Sequence, residues 1–408
     1  MKQTVRCSIL ALALCGVCQH ASAADPLEFH GYFRAGMGIN AEGGKGACYG
    51  LGSINPFRLG NECDTVIEPT FTGRIASPSD KSAWGVTVMP KTYQRWGEPG
   101  GSSTLKTEFG QIYLFGENLP QLANGRLWGG KRYYQRLQTG INDEFLENLD
   151  GDGVGIEDMD FGVGKFSVAW NGDIYGNPSG DKFATLSGNT LSARFVGINT
   201  MPEGALAFYT HYRKDSNRDD KSTSPATTAP DAKSTTHFAA YHTLNGVLGG
   251  SNLIGLGYTS YQDDKDVFDL TVQQSGFVAS AKMGWDAIFR YRKNAGKNNS
   301  GDSTEYALGA RLDGQLSGPF RWLLEAGYNR VDPDQGKSQS MWKITPTLAM
   351  SAGNDPWSRP TFRLYWNYTS WSDSVTNPYR WSSEAQSVGR DPTQTKGSTI
   401  GVQAEAWW

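Results

Sequence analysis

Residues Gly397–Trp408 read GSTIGVQAEAWW. Side chains of an extended strand alternate between its two faces. Ile400, Val402, Ala404, Ala406 and Trp408 therefore share one face, while Thr399, Gly401, Gln403, Glu405 and Trp407 share the other. One side suits lipid and the other suits water. Such a strand ending on an aromatic residue, in a chain with no apolar helix, has the form expected of the closing strand of an outer-membrane barrel. An edge strand of a soluble β-sandwich alternates in the same way, so the decision passes to the rest of the chain.

The other end bears on the compartment. Met1–Ala23 carries Lys2 and Arg6, an apolar run around Ile9–Val17, and then Ala21-Ser22-Ala23, the small-x-small pattern of a signal-peptidase site. The sequence thus predicts a signal peptide over 1–23 and a single domain over 24–408. Cys7, Cys15 and Cys18 leave with that segment, and Cys48 and Cys63 remain. An even pair in an oxidising compartment points to one disulfide closing a short loop rather than to a metal site or a catalytic thiol. Without Lys2 and Arg6 the basic count falls from 38 to 36 against 41 acids, a net charge of −5. That balance argues against a nucleic-acid partner. Residues 24–408 hold no apolar run of about 18 residues, which excludes a spanning helix. They are instead rich in Trp, Tyr, Phe and Gly, the mixture expected when each strand shows one face to lipid and one to water.

The alternation recurs along the chain. In Leu27–Met37, Leu27, Phe29, Phe33, Ala35 and Met37 oppose Glu28, His30, Tyr32 and Arg34. A packed core would not receive Glu, His, Tyr and Arg together, but a wet lumen would. Likewise Asp64, Val66, Glu68, Thr70, Thr72 and Arg74 oppose Ile67, Pro69, Phe71 and Ile75. Tyr306–Leu312, Phe320–Tyr328 and Pro360–Tyr368 repeat the pattern, charges always opposite the aromatics. Helical spacing is not sustained anywhere over comparable lengths. Asn40–Gly60 reads as a glycine-rich loop spanned by the cysteine pair, and Ser216–Thr236, rich in Ser, Thr, Asp, Lys and Pro, as a long exposed loop. The fold class expected is all-β, a transmembrane antiparallel barrel.

Six blocks in order then resemble the maltoporin family of sugar-specific outer-membrane porins. They are FHGYFRAGMG (Phe29–Gly38), FRLGNEC (Phe57–Cys63), GKRYYQR (Gly130–Arg136), GIEDMDFGVGKFSVA (Gly155–Ala169), PWSRP (Pro356–Pro360) and the terminal Trp407-Trp408. The stretch from about Asn171 to Ser303 matches only loosely. The resemblance implies eighteen strands, a homotrimer in the bacterial outer membrane, a third loop folded inward to narrow each pore, and an oligosaccharide substrate with no cofactor. It further implies an aromatic path of Tyr32, Trp357 and Trp407, with Trp96 reaching a neighbouring subunit's pore, and a polar row of Arg34, Arg58, Glu68, Arg136 and Asp143. The parity of the strands puts the same Tyr32, Trp357 and Trp407 on the watery side. The physical logic is general: a sugar rests its C–H face on a ring, while donors such as arginine and acceptors such as carboxylates satisfy its hydroxyls.

Departures from the family pattern bear on specificity. Val66 stands where the resemblance implies a ring, and another path position, around Ile254, is aliphatic. An expected arginine reads Gly110, an expected constriction tyrosine reads Phe145, and positions after Arg136 read Gln138 and Gly140. A less demanding constriction, tuned to a sugar other than maltodextrin, is the expectation. Asp150-Gly-Asp-Gly starts like a calcium loop, but the pattern fails at Val154, and no metal site is expected. His30, His211, His237 and His242 fall in no catalytic motif, and no Gly-x-Ser-x-Gly elbow occurs, so an enzyme is not expected. Two alternatives stay open: a general diffusion porin without a sugar site, and a secreted carbohydrate-binding β-protein.

Overall fold

The computed structural model describes residues 27–41, 43–54, 56–96, 106–172, 188–215, 233–262, 264–297, 301–353, 355–380 and 393–408. The expected signal segment, the expected cleavage site and most of the Ser216–Thr236 loop lie outside the described residues. The first half of the barrel is β1 (Glu28–Asn40), β2 (Asp64–Ala76), β3 (Ala83–Arg95), β4 (Lys106–Leu119), β5 (Gly125–Arg132), β8 (Gly151–Asp160), β9 (Lys165–Gly172), β10 (Gly188–Met201) and β11 (Gly204–Asp215). The second half is β12 (Ser234–Val247), β13 (Gly250–Tyr261), β14 (Lys265–Val278), β15 (Met283–Gly296), β16 (Ser303–Ser317), β17 (Phe320–Pro333), β18 (Gln339–Ser351), β19 (Thr361–Trp371) and β20 (Lys396–Trp407). The short strands β6 (Leu137–Thr139) and β7 (Glu144–Glu147) pair only with each other.

Each of the eighteen strands runs antiparallel to its neighbours, and β20 closes the ring against β1, from Tyr32↔Trp407 to Asn40↔Thr399. Closure is the physical requirement: in hydrocarbon every strand N–H and C=O needs a partner, and a closed barrel leaves no edge. The outer face is the apolar one predicted, with Met37, Leu308, Phe362, Leu364, Ile400 and Val402 exposed on it. Trp408 belongs to the same face, its ring 5.4 Å from Phe29, which in turn stacks on Phe71 at 5.0 Å. The inner face carries Arg290, Arg321, Glu325, Thr399 and Glu405, all sequestered.

Two loops fill part of the lumen. The third, residues 133–150, turns inward as expected, with its β6–β7 hairpin unpaired to the wall and Ile141 fully buried. The first, expected from the sequence as a loop spanned by the cysteine pair, also enters the barrel over its described residues (41, 43–54 and 56–63), closed by the Cys48–Cys63 disulfide. Its Phe57 lies flat on the wall where a Cβ at Gly309 or Gly327 would collide with the ring, so glycine is required at both positions. Lys343 of β18 donates to the carbonyls of Phe57 and Leu59, at 2.6 Å for the latter, and Glu325 of β17 accepts from Leu59 N at 2.8 Å. The two loops meet where Arg58 N donates to Ile141 O at 3.0 Å, over a cluster of Ile54, Phe57, Ile141, Ile288 and Ala307. Burying a ring such as Phe57 contributes about 1.5–3 kcal/mol, so this seam is a packed contact and not a passing one.

Candidate pore constriction

The first node of the constriction is built on β1, where parity turns Tyr32 and Arg34 inward. The Tyr32 hydroxyl donates to Glu405 Oε1 at 2.9 Å and accepts from Arg34 Nη1 at 3.1 Å and Arg58 Nη2 at 3.0 Å. One donor and two lone pairs are all the hydroxyl offers, so it is saturated. Arg34, 6% exposed, makes a fork to Asp64 at 2.8 and 2.9 Å and reaches Glu62 at 2.6 Å. Asp143 from the third loop approaches Arg34 to 3.6 Å and accepts from Gln138 at 2.6 Å. Arg58 bridges Glu62 and Glu405, and Glu405 also holds Arg359 at 2.8 Å and Arg363 at 2.7 Å.

Charges packed this closely shift one another. Burial disfavours the charged form of Glu62, but Arg34 and Arg58 outweigh it and hold the carboxyl at about 2. Burial likewise works against Arg58, and Glu405 and Glu62 more than compensate, raising its pKa. Arg359, in the turn before β19, is pulled down to about 10 by burial despite Glu405.

A second node adjoins the first, Glu68 being the cross-strand partner of Tyr32. Glu68 on β2 accepts from the Tyr133 hydroxyl at 2.8 Å and faces Lys91 at 3.6 Å. The Arg136 guanidinium lies 3.2 Å above the Tyr133 ring and 4.9 Å from Phe145, and forks onto Asp150. Asp150, the start of the rejected calcium-like pattern, is thus an arginine partner here. Burial and Glu68 together raise the Tyr133 pKa.

The aromatic residues are distributed as follows. Trp407 faces the lumen, 37% exposed, with the Arg359 guanidinium 3.6 Å from its ring. Trp357, 63% exposed, does not sit on a strand, contrary to the parity reading; the described residues between β18 and β19, 352–353 and 355–360, form an irregular turn. Proline explains this: Pro356 and Pro360 bracket the segment and cannot extend a ladder. The turn folds back beneath the barrel until Pro356 presses on Gly284 of β15. It closes a cavity of about 250 Å³ lined by Trp357, Asp286, Arg311, Asp313, Arg359 and Arg363. Trp96 follows β3 and packs over β1 of its own chain, with ring carbon Cζ3 3.4 Å from where a Gly38 Cβ would stand.

Among the departures, Val66 does point inward and is buried. Ile254 itself is on the outer face, 43% exposed, while the aliphatic Leu253 and Gly255 turn inward. A side chain at Gly110 would meet Met89 and come within 3.0 Å of Tyr133 Oη, so Tyr133 occupies that space instead. A side chain at Gly140 would meet nothing within 4 Å. The constriction is therefore more open at that point than a larger residue would leave it.

The structure is a closed barrel of eighteen strands with an inward third loop and charged nodes facing a lumen. The sequence model of the LamB porin family matches residues 27–408. The chain belongs to the LamB porin family. It is accordingly a channel of the bacterial outer membrane rather than an enzyme. Solved outer-membrane structures are similar at low sequence identity, one of them with a TM-score above 0.5. OccD3 (OpdP) of Pseudomonas aeruginosa is similar with a TM-score of 0.51 and 8% identity, over 95% of this chain and 93% of that one. The anion-selective porin of Comamonas acidovorans has a TM-score of 0.45 and 9% identity, over 93% and 99%. The trimer form of OmpT, an outer membrane protein of Vibrio cholerae, has a TM-score of 0.43 and 10% identity, over 95% and 100%.

Within this LamB porin, sequence reasoning overlooked Glu62, Tyr133, Glu405, Arg359 and Arg363 as members of the constriction. Glu405 and Arg363 carried a usable signal, being charged residues on the wet parity of their strands. Glu62 and Tyr133 carried none, because loop residues have no parity to read.

Proposed function

We propose that this channel passes oligosaccharides by facilitated diffusion, working as a homotrimer after removal of residues 1–23, with 24–408 forming the one barrel domain. The observation that supports it is Trp407, which turns its ring to the lumen beside the Tyr32, Arg58 and Glu405 node. Trp357 continues the row at the cavity below, and Trp96, packed on β1 of its own chain at Gly38 and not reaching towards a neighbouring subunit, stands at its upper end. A sugar sliding past rests its C–H face on each ring and exchanges hydroxyl partners with exposed edges of Arg58, Asp143, Glu68 and Arg136. Arg34, enclosed by Asp64 and Glu62, acts in this reading by holding Tyr32 in place. Each contact is weak and repeated, because a tight site would retain the sugar instead of releasing it. The inward Val66 and the empty space at Gly140 favour a substrate less closely fitted than maltodextrin.

Single-channel conductance in planar bilayers, titrated with maltotriose, sucrose and raffinose, tests the proposal. Saturable sugar-dependent block, weakened by Trp407→Ala or Trp357→Ala, is the expected result. Conductance insensitive to every sugar would overturn it in favour of a general diffusion porin. That second reading draws on the saturation of Tyr32, Arg34 and Glu405 by one another. Heat-resistant migration of the detergent-extracted protein on a gel tests the trimer.

A further inference from the structure

The third loop touches the wall at β11 and β12 through a cluster that the pore function does not use. His211 of β11 and His237 of β12 are direct cross-strand partners, their rings stacked at 4.7 Å between centroids and 20° between planes. Over them lies Glu147, the last residue of β7, whose Oε1 is 3.0 Å from His237 Nε2 and accepts from the Tyr241 hydroxyl at 2.7 Å. Glu147 is 3% exposed, and among the described residues no lysine or arginine lies within ion-pair distance of it. A buried carboxylate with no lysine or arginine beside it lacks a fixed cation to offset its charge, and a bound metal ion would supply one.

We propose that Glu147, His211 and His237 form a binding site for a first-row transition-metal dication of the zinc class. One ligand atom from each lies within 4.8 Å of the other two. Zinc bonds of about 2.0–2.2 Å to nitrogen and oxygen put tetrahedral ligands about 3.3–3.5 Å apart, a distance side-chain rotation can close. Two imidazoles and a carboxylate suit zinc, copper or nickel and disfavour the hard cations calcium and magnesium. His237 Nδ1 is 2.8 Å from the Thr259 hydroxyl. That hydroxyl oxygen can accept from Nδ1–H, the tautomer in which Nε2 is given up to a metal. The metal would sit between His237 Nε2 and Glu147 Oε1, with the fourth position left for water. Occupancy ties the constriction hairpin to β11 and β12.

The test uses the full-length protein purified in detergent without a histidine tag. Isothermal titration with ZnCl2, and visible absorption with CoCl2, should show one saturable site per chain, unaffected by excess Mg2+ or Ca2+. His211→Ala and His237→Ala should each abolish it, Glu147→Gln should weaken it while preserving volume, and Thr259→Val should weaken it about tenfold or more. His30→Ala and His242→Ala should leave it unchanged. Heat-modifiable gel migration verifies that each variant remains a barrel. Absence of saturable Zn2+ binding, or binding that survives in the folded His211→Ala, His237→Ala double variant, would overturn the proposal, whatever the sugar measurements give.

Discussion

Replacing Lys343 with methionine removes the clamp that holds the first loop inside the pore while keeping the volume of the side chain. Lys343 Nζ is bonded to the Phe57 and Leu59 carbonyls and pairs with Glu325 at 2.9 Å, and the lysine is 5% exposed. Breaking a buried pair by deleting one partner costs about 3–5 kcal/mol, and charge-assisted hydrogen bonds contribute about 1.5–3 kcal/mol each. Glu325 keeps Arg311 and Leu59 N, so part of the anion's cost is covered. A net weakening of the latch by about 3 kcal/mol raises the released fraction of Pro56–Leu59 roughly a hundredfold at 1.4 kcal/mol per decade. The rest of the loop stays tethered through the disulfide and through Asn61, which donates to Tyr49 O and Phe57 O and accepts from Asn367. The barrel should therefore remain assembled while Arg58 loses its fixed place beside Tyr32 and Glu405. Single-channel recording is the assay: the variant should show higher mean conductance, greater open-channel noise and weaker sugar block. Lys343→Met channels with wild-type conductance and noise would refute the idea that this lysine latches the loop.

Three further outcomes follow from the same geometry. The Glu62 carboxyl, held at about 2 by Arg34 and Arg58 after burial has opposed it, contributes stability that is complete above about pH 4.5 and is lost as pH falls toward 2; tryptophan fluorescence across pH 6 to 2 should show loop loosening only in the lower part of that range, and Glu62→Gln should remove that dependence. The paired Cys48→Ser, Cys63→Ser variant, opening a loop of 15 residues, should lose about 3 kcal/mol of loop stability, seen as faster proteolysis within 41–63 with the barrel intact. Gly327→Leu should place a side chain where Phe57 lies, at about 1–3 kcal/mol or more of overpacking, and shift conductance in the same direction as Lys343→Met.

The sequence by itself determined the wall. Alternation with period two is a local property, so GSTIGVQAEAWW alone placed Trp407 toward water and Trp408 toward lipid, and the inward Tyr32 and Arg34 were equally legible. The cysteine pair was legible too, because only two cysteines follow the leader-like segment. What fills the lumen was decided by tertiary structure. The first loop enters the barrel because Gly309 and Gly327, on different strands, together leave a flat surface for Phe57, and because Lys343 waits beside it. Trp357 left its assumed strand because two prolines turn the chain beneath the barrel. Glu147, His211 and His237 are separated by 64 and 26 positions and meet only because the third loop crosses the pore. Strand faces follow from neighbours in the chain, whereas the contents of a pore follow from residues that only closure of the barrel brings together.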